Sequence, residues 1–89
     1  MKVYHRISPD FFAEHKPNKR LEDYQLVAEV DCATIEQAFE LTNHIHCAWQ
    51  ENSEVYAYSK NARSTSVGDV VVDDNGTIYW CKDVGWEEV

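Results

Sequence analysis

The chain has 89 residues, 44% of them hydrophobic, and sets eight lysines and arginines against sixteen aspartates and glutamates, a formal net charge of −8. That length suits a single domain, residues 1–89, and the eleven aromatic residues supply a core that a disordered chain lacks. Such acidity repels phosphate backbones and so argues against direct nucleic-acid binding, and no apolar run approaches the roughly 18–20 residues that a membrane-spanning helix needs. The segment MKVYHRISPDFF also lacks the apolar stretch of a signal peptide, so a cytoplasmic location is expected.

Lys2 to Ser8 alternates well enough for a first strand, with Val3, His5 and Ile7 on one side. His5 falls on the apolar side and reads as a core histidine whose ring nitrogens find partners. Ser8-Pro9-Asp10 then turns the chain into a short helical turn bearing Phe11 and Phe12. Residues 14–23 are polar, contain Pro17 and show no apolar period, which predicts an exposed loop. Tyr24 to Asp31 is a second strand, with Tyr24, Leu26, Ala28 and Val30 on one face and Gln25, Val27 and Glu29 on the other.

A helix is expected from Thr34 to Asn43. Thr34 and Gln37 have the spacing of a capping box, Glu36 suits the positive end of the helix dipole, and Ile35, Ala38, Phe39 and Thr42 form one stripe. His44 to Ser53 reads as loop or a frayed extra turn. Glu54 to Ser59 is a third strand. Arg63-Ser64-Thr65-Ser66 leads into the Val67-Gly68-Asp69 turn, with Arg63 placed for a surface ion pair to Asp69 or Asp31. Val70–Val72 and Thr77–Cys81 are β-branched and aromatic runs flanking Asn75-Gly76, which predicts a hairpin with its tip at that dipeptide. Gly85 breaks the second of these strands before a last short strand, Trp86 to Val89.

The resulting fold class is α+β: a small antiparallel β-sheet of about five strands with one helix packed on one face. The expected core is Val3, Ile7, Leu26, Ala28, Val30, Ile35, Ala38, Phe39, Val55, Val70, Val72, Ile78 and Trp80.

Little in the chain points to catalysis. Cys32, Cys47 and Cys81 are odd in number and widely spaced, as expected of buried, reduced thiols. His44-x-His46-Cys47 is the one metal-like string, and no CxxC or HExxH spacing backs it, so no metal and no cofactor are expected. Gly68, Gly76 and Gly85 stand in no phosphate-cradling pattern. No catalytic residues are assigned.

The charge is unevenly placed. Lys2, Arg6, Lys16, Lys19 and Arg20 make residues 1–20 net basic, whereas residues 21–89 carry fourteen acidic groups against Lys60, Arg63 and Lys82. Glu36 and Glu40, one helical turn apart, repel each other by a few tenths of a kcal/mol. A face that accepts that cost points to a purpose other than stability. Asp31, Glu36, Glu40, Glu51 and Glu54 are therefore the candidate partner-binding residues, with Trp49 at their edge as an aromatic anchor.

Leu41-Thr42-Asn43-His44-Ile45, Trp49, Asn52, the string Arg63-Ser64-Thr65-Ser66-Val67-Gly68-Asp69-Val70 and Gly85-Trp86 together resemble small phage and mobile-element domains of the YodL-like group, which carry an RSxSVGDV core. The resemblance runs over roughly Val30 to Val89. It implies a mobile-element accessory protein and brings no catalytic residues.

The expectation is thus a non-enzymatic acidic protein. It would inhibit a host defence protein, such as a CRISPR or restriction component, by occupying a basic nucleic-acid-binding surface. The alternatives are an adaptor or assembly domain using a strand edge or apolar interface, with room for a homodimer, and a metal- or thiol-dependent activity at His44, His46 and Cys47. Salt separates the first two: a charge-driven contact fades as ionic strength rises.

Overall fold

The computed structural model describes residues 1–7, 16–44 and 47–89. The expected Phe11-Phe12 turn, along with His46 of the metal-like string, lies outside the described residues.

The described residues form a six-stranded antiparallel sheet and one short α-helix. The strands are β1 (Lys2–Arg6), β2 (Tyr24–Val30), β3 (Val55–Ala57), β4 (Val70–Val72), β5 (Ile78–Cys81) and β6 (Trp86–Glu88), in the spatial order β3-β2-β1-β4-β5-β6. The count is one above the five or so expected, and the last short strand lies where it was expected, after Gly85. Gly85, at φ +75°, reverses the chain so that this piece pairs with β5, Cys81 opposite Trp86. The first strand is the centre of the sheet, flanked by β2 and β4.

The helix α1 spans Ile35–Leu41. The capping box forms as expected: Thr34 Oγ1 accepts from the Gln37 amide at 3.1 Å, and Gln37 Oε1 accepts from the Thr34 amide at 3.2 Å. Thr42 is the C-terminal cap. Within the stretch read as loop or a frayed extra turn, Trp49–Glu51 forms a single turn of 3-10 helix.

The β4–β5 hairpin is wider than a two-residue turn. Gly76 N–H bonds to the Asp73 carbonyl at 3.0 Å, and the Asp73 carboxylate accepts from the amides of Asn75 and Thr77. Gly76 takes φ +85°, the left-handed value this turn-plus-bulge geometry requires.

Val3, Val27, Ala28, Val30, Ala38, Trp49 and Val71 form the core cluster. Three of its members, Val27, Trp49 and Val71, fall outside the expected core. Val71 is enclosed because β4 is an interior strand, flanked by β1 and β5. A bulge between Val3 and Tyr4 breaks the simple two-residue alternation along β2, and Val27 is buried despite its predicted place beside Gln25 and Glu29. Trp49 fills the space between the sheet and the 3-10 turn. Conversely Ile7, expected inside, lies past the end of β1 and is 62% exposed. Leu26, Ile35, Phe39, Val55, Val72 and Ile78 are half-buried. Phe39 meets Trp86 edge-on, with centroids 5.9 Å apart, which seats the helix over the β6 side of the sheet.

Candidate functional site

From β3, at one edge, the chain must cross β2 and β1 to reach β4. The Arg63–Asp69 string is the end of that crossover, and two of its polar residues, Thr65 and Asp69, are buried there instead of lying on the surface. Thr65 passes under β1, where its hydroxyl meets His5 Nε2 at 2.8 Å and Thr42 Oγ1 at 2.7 Å; Thr42 Oγ1 in turn bonds the Ala38 carbonyl. Asp69, 0% exposed, is the hub. Its carboxylate accepts from the amides of Arg6 and Ser66, each at 2.8 Å, and from both Arg63 Nη atoms at 2.6 and 2.9 Å. The expected surface pair of Arg63 is therefore half-buried, its Asp69 end closed to solvent and its Arg63 end partly exposed, and of the two candidate partners Asp69 is the one engaged. That bond lifts the Arg63 guanidinium above its ordinary value.

His5, Arg6 and Tyr24 complete the network. Burial pushes the His5 imidazole down to about 4, against the opposing pull of Asp69, so it is neutral near pH 7. Tyr24 Oη donates to the Gly68 carbonyl and accepts from Arg6 Nη2. A carboxylate saturated with donors and closed to solvent offers nothing to a substrate in this conformation; its chemistry is that of a structural clamp. Thr42 was expected on the inward helix stripe, but Thr65 and Asp69 were not expected inside, because small polar side chains are ordinarily exposed unless long-range partners meet them.

Trp49 is the main correction among the candidate partner-binding residues. It is 0% exposed and cannot serve as an anchor in this conformation. Its indole N–H donates to the Arg63 carbonyl at 2.9 Å, its amide donates to His44 Nδ1 at 3.2 Å, and its ring sits edge-on to His5 at 6.3 Å. It ties the crossover to the core. The same bond occupies one nitrogen of His44, and among the described residues no three His, Cys, Asp or Glu side chains gather as a metal site. Of the thiols expected to be buried, Cys81 is, Cys32 is half-buried and Cys47 is exposed.

The five carboxylates Asp31, Glu36, Glu40, Glu51 and Glu54 are all exposed, and the structure divides them. Glu36 and Glu40 ride the helix and Glu51 the 3-10 turn. Asp31 and Glu54 meet where β2 leaves the sheet, their main chains joined by Asp31 N–H to the Glu54 carbonyl at 2.8 Å. Together with Met1, Glu29, Val55 and Tyr56 they line an open, wide-mouthed cleft of about 420 Å³. Among the described residues no lysine, arginine or histidine forms an ion pair with any of the five, while Lys16 and Lys82 pair with Glu87, Arg20 with Glu22, and Arg63 with Asp69. Glu29 and Tyr56 were not among the candidate partner-binding residues. Their signal is the pairing of β2 with β3, Glu29 opposite Tyr56, which only the strand register provides.

Among the described residues no helix is long and apolar enough to cross a membrane. The chain matches no protein-family model, and neither the curated proteins nor the solved structures include a match to it.

Proposed function

We propose that this chain is a non-enzymatic binding protein that offers its carboxylates to a basic, nucleic-acid-binding surface of a protein partner. The observation that carries this reading is the segregation of charge. Asp31, Glu36, Glu40, Glu51 and Glu54 face solvent without cationic partners among the described residues, whereas four of the chain's cations are paired elsewhere. Unpaired surface carboxylates of one sign steer and orient a cationic surface more than they stabilise the fold. The resemblance to phage and mobile-element domains makes a host defence protein the class of partner, with inhibition following from occupation of its nucleic-acid site.

The test is affinity capture from host lysate at low and high salt, with the parent, with Asp31→Lys/Glu54→Lys and with Glu36→Lys/Glu40→Lys. The expected result is capture of a basic protein at low salt, loss of its nucleic-acid binding in the complex, and loss of capture in the reversed variants, whose melting temperatures stay near the parent's. Capture that survives high salt and both reversals would point instead to an apolar or strand-edge interface.

A further inference from the structure

The sheet face opposite the helix carries, at its β3 edge, two aromatic side chains that the core does not use. Tyr56 is 66% exposed and Tyr58 51%, their ring centroids are 5.0 Å apart and their planes are inclined by 61°. Tyr58 Oη donates to Glu29 Oε2, which sets one ring in place and raises its phenol above the ordinary value. Tyr56 itself forms part of the cleft wall with Glu29, Asp31 and Glu54. We propose, building on the acidic-surface reading, that this corner receives an arginine side chain of the protein partner.

The physical match is with that side chain in particular. A guanidinium is flat, weakly hydrated and forked, so it stacks on an aromatic ring while its N–H groups reach carboxylates on either side. Its methylenes suit the exposed face of the Tyr56 ring. A lysine ammonium gains from the carboxylates but less from the rings, and an anionic ligand is repelled by all three acids. Two cations stand nearby. The Met1 ammonium is held by the Val30 carbonyl at 2.8 Å and Asp74 at 3.2 Å. Lys2, the register partner of Glu29, forms no ion pair with it among the described residues. The net charge of −8 opposes a second copy of the chain as the occupant.

Titration of the isotopically labelled full chain with an oligoarginine and an oligolysine peptide of equal length tests this. Amide shifts are expected at Glu29, Asp31, Tyr56 and Tyr58, with arginine bound about threefold to fivefold tighter than lysine. Tyr56→Ala/Tyr58→Ala should remove the preference and leave the lysine affinity, Tyr58→Phe should keep most of the preference, and Asp31→Lys/Glu54→Lys should weaken both peptides. Equal affinities, a preference that outlasts the tyrosines, or shifts confined to Glu36 and Glu40 would overturn the arginine site while leaving the acidic-surface reading standing. Binding of neither peptide would overturn both. Sedimentation showing that the parent self-associates, and that Arg20→Glu abolishes it, would give the corner to a second copy and overturn the protein partner.

Discussion

Asp69→Asn removes one charge and little volume, and the structure says what that costs. The parent carboxylate takes donors only: the Arg6 and Ser66 amides and two guanidinium N–H groups, at 2.6 to 2.9 Å. An asparagine must turn its own NH₂ toward at least one of those donors, which leaves that donor unsatisfied at a cost of about 1–3 kcal/mol. It also strips the guanidinium of its counter-charge. Removing one partner of a buried pair costs about 3–5 kcal/mol, and the low end applies because the Arg63 side chain keeps 36% of its surface in water. A loss of about 3 kcal/mol is a large part of a small domain's stability of about 5–15 kcal/mol. It corresponds to a fall of about 12–24 °C in melting temperature at this chain length. Urea unfolding followed by tryptophan fluorescence should show a lower midpoint at an unchanged slope. A double-mutant cycle with Arg63→Met should give a coupling above about 1 kcal/mol. A loss below about 1 kcal/mol, with no coupling, would refute the argument that the crossover is clamped through Asp69.

Two further outcomes follow from the same interior. The folded His5 value of about 4 lies below its ordinary 6.5. The unfolded chain therefore takes up the proton first, and the stability contributed by the neutral ring is complete above about pH 6.5 and is lost as pH falls toward 4. Denaturant titrations across that interval should show a slope approaching about 1.4 kcal/mol per pH unit in the parent that His5→Gln reduces; coincident slopes would remove His5 from the account. Among the thiols, Cys81 is buried and pushed up to about 11 by that burial, while Cys47 is exposed. Brief alkylation near pH 8, read by mass spectrometry, should label Cys47 and spare Cys81, and early labelling of Cys81 would contradict its place in the sheet.

The features that the sequence determined by itself are local ones. The β-branched run Val70–Val72 and its partner Ile78–Cys81 pair as a hairpin because side-chain stiffness and the Asn75-Gly76 turn act within a few residues. Thr34 and Gln37 close their capping box because three residues of helix bring them together wherever the helix packs. The α+β class follows from the order of such elements. The acidity of Asp31, Glu36, Glu40, Glu51 and Glu54 was likewise visible, since exposed carboxylates need no tertiary partner to stay in water.

What only the tertiary structure decided depends on contacts between distant parts of the chain. Glu29 joins Asp31, Glu54 and Tyr56 only through the β2–β3 register. Trp49 lies inside because the crossover passes over it and its carbonyl at Arg63 satisfies the indole N–H, a match fourteen residues away that no local pattern encodes. Asp69 is buried because donors from β1 and from the crossover converge on it, Arg6 sixty-three residues distant in the chain. A charge is tolerated in an interior only where such partners arrive together, and that arrival is a property of the assembled sheet rather than of any segment of it.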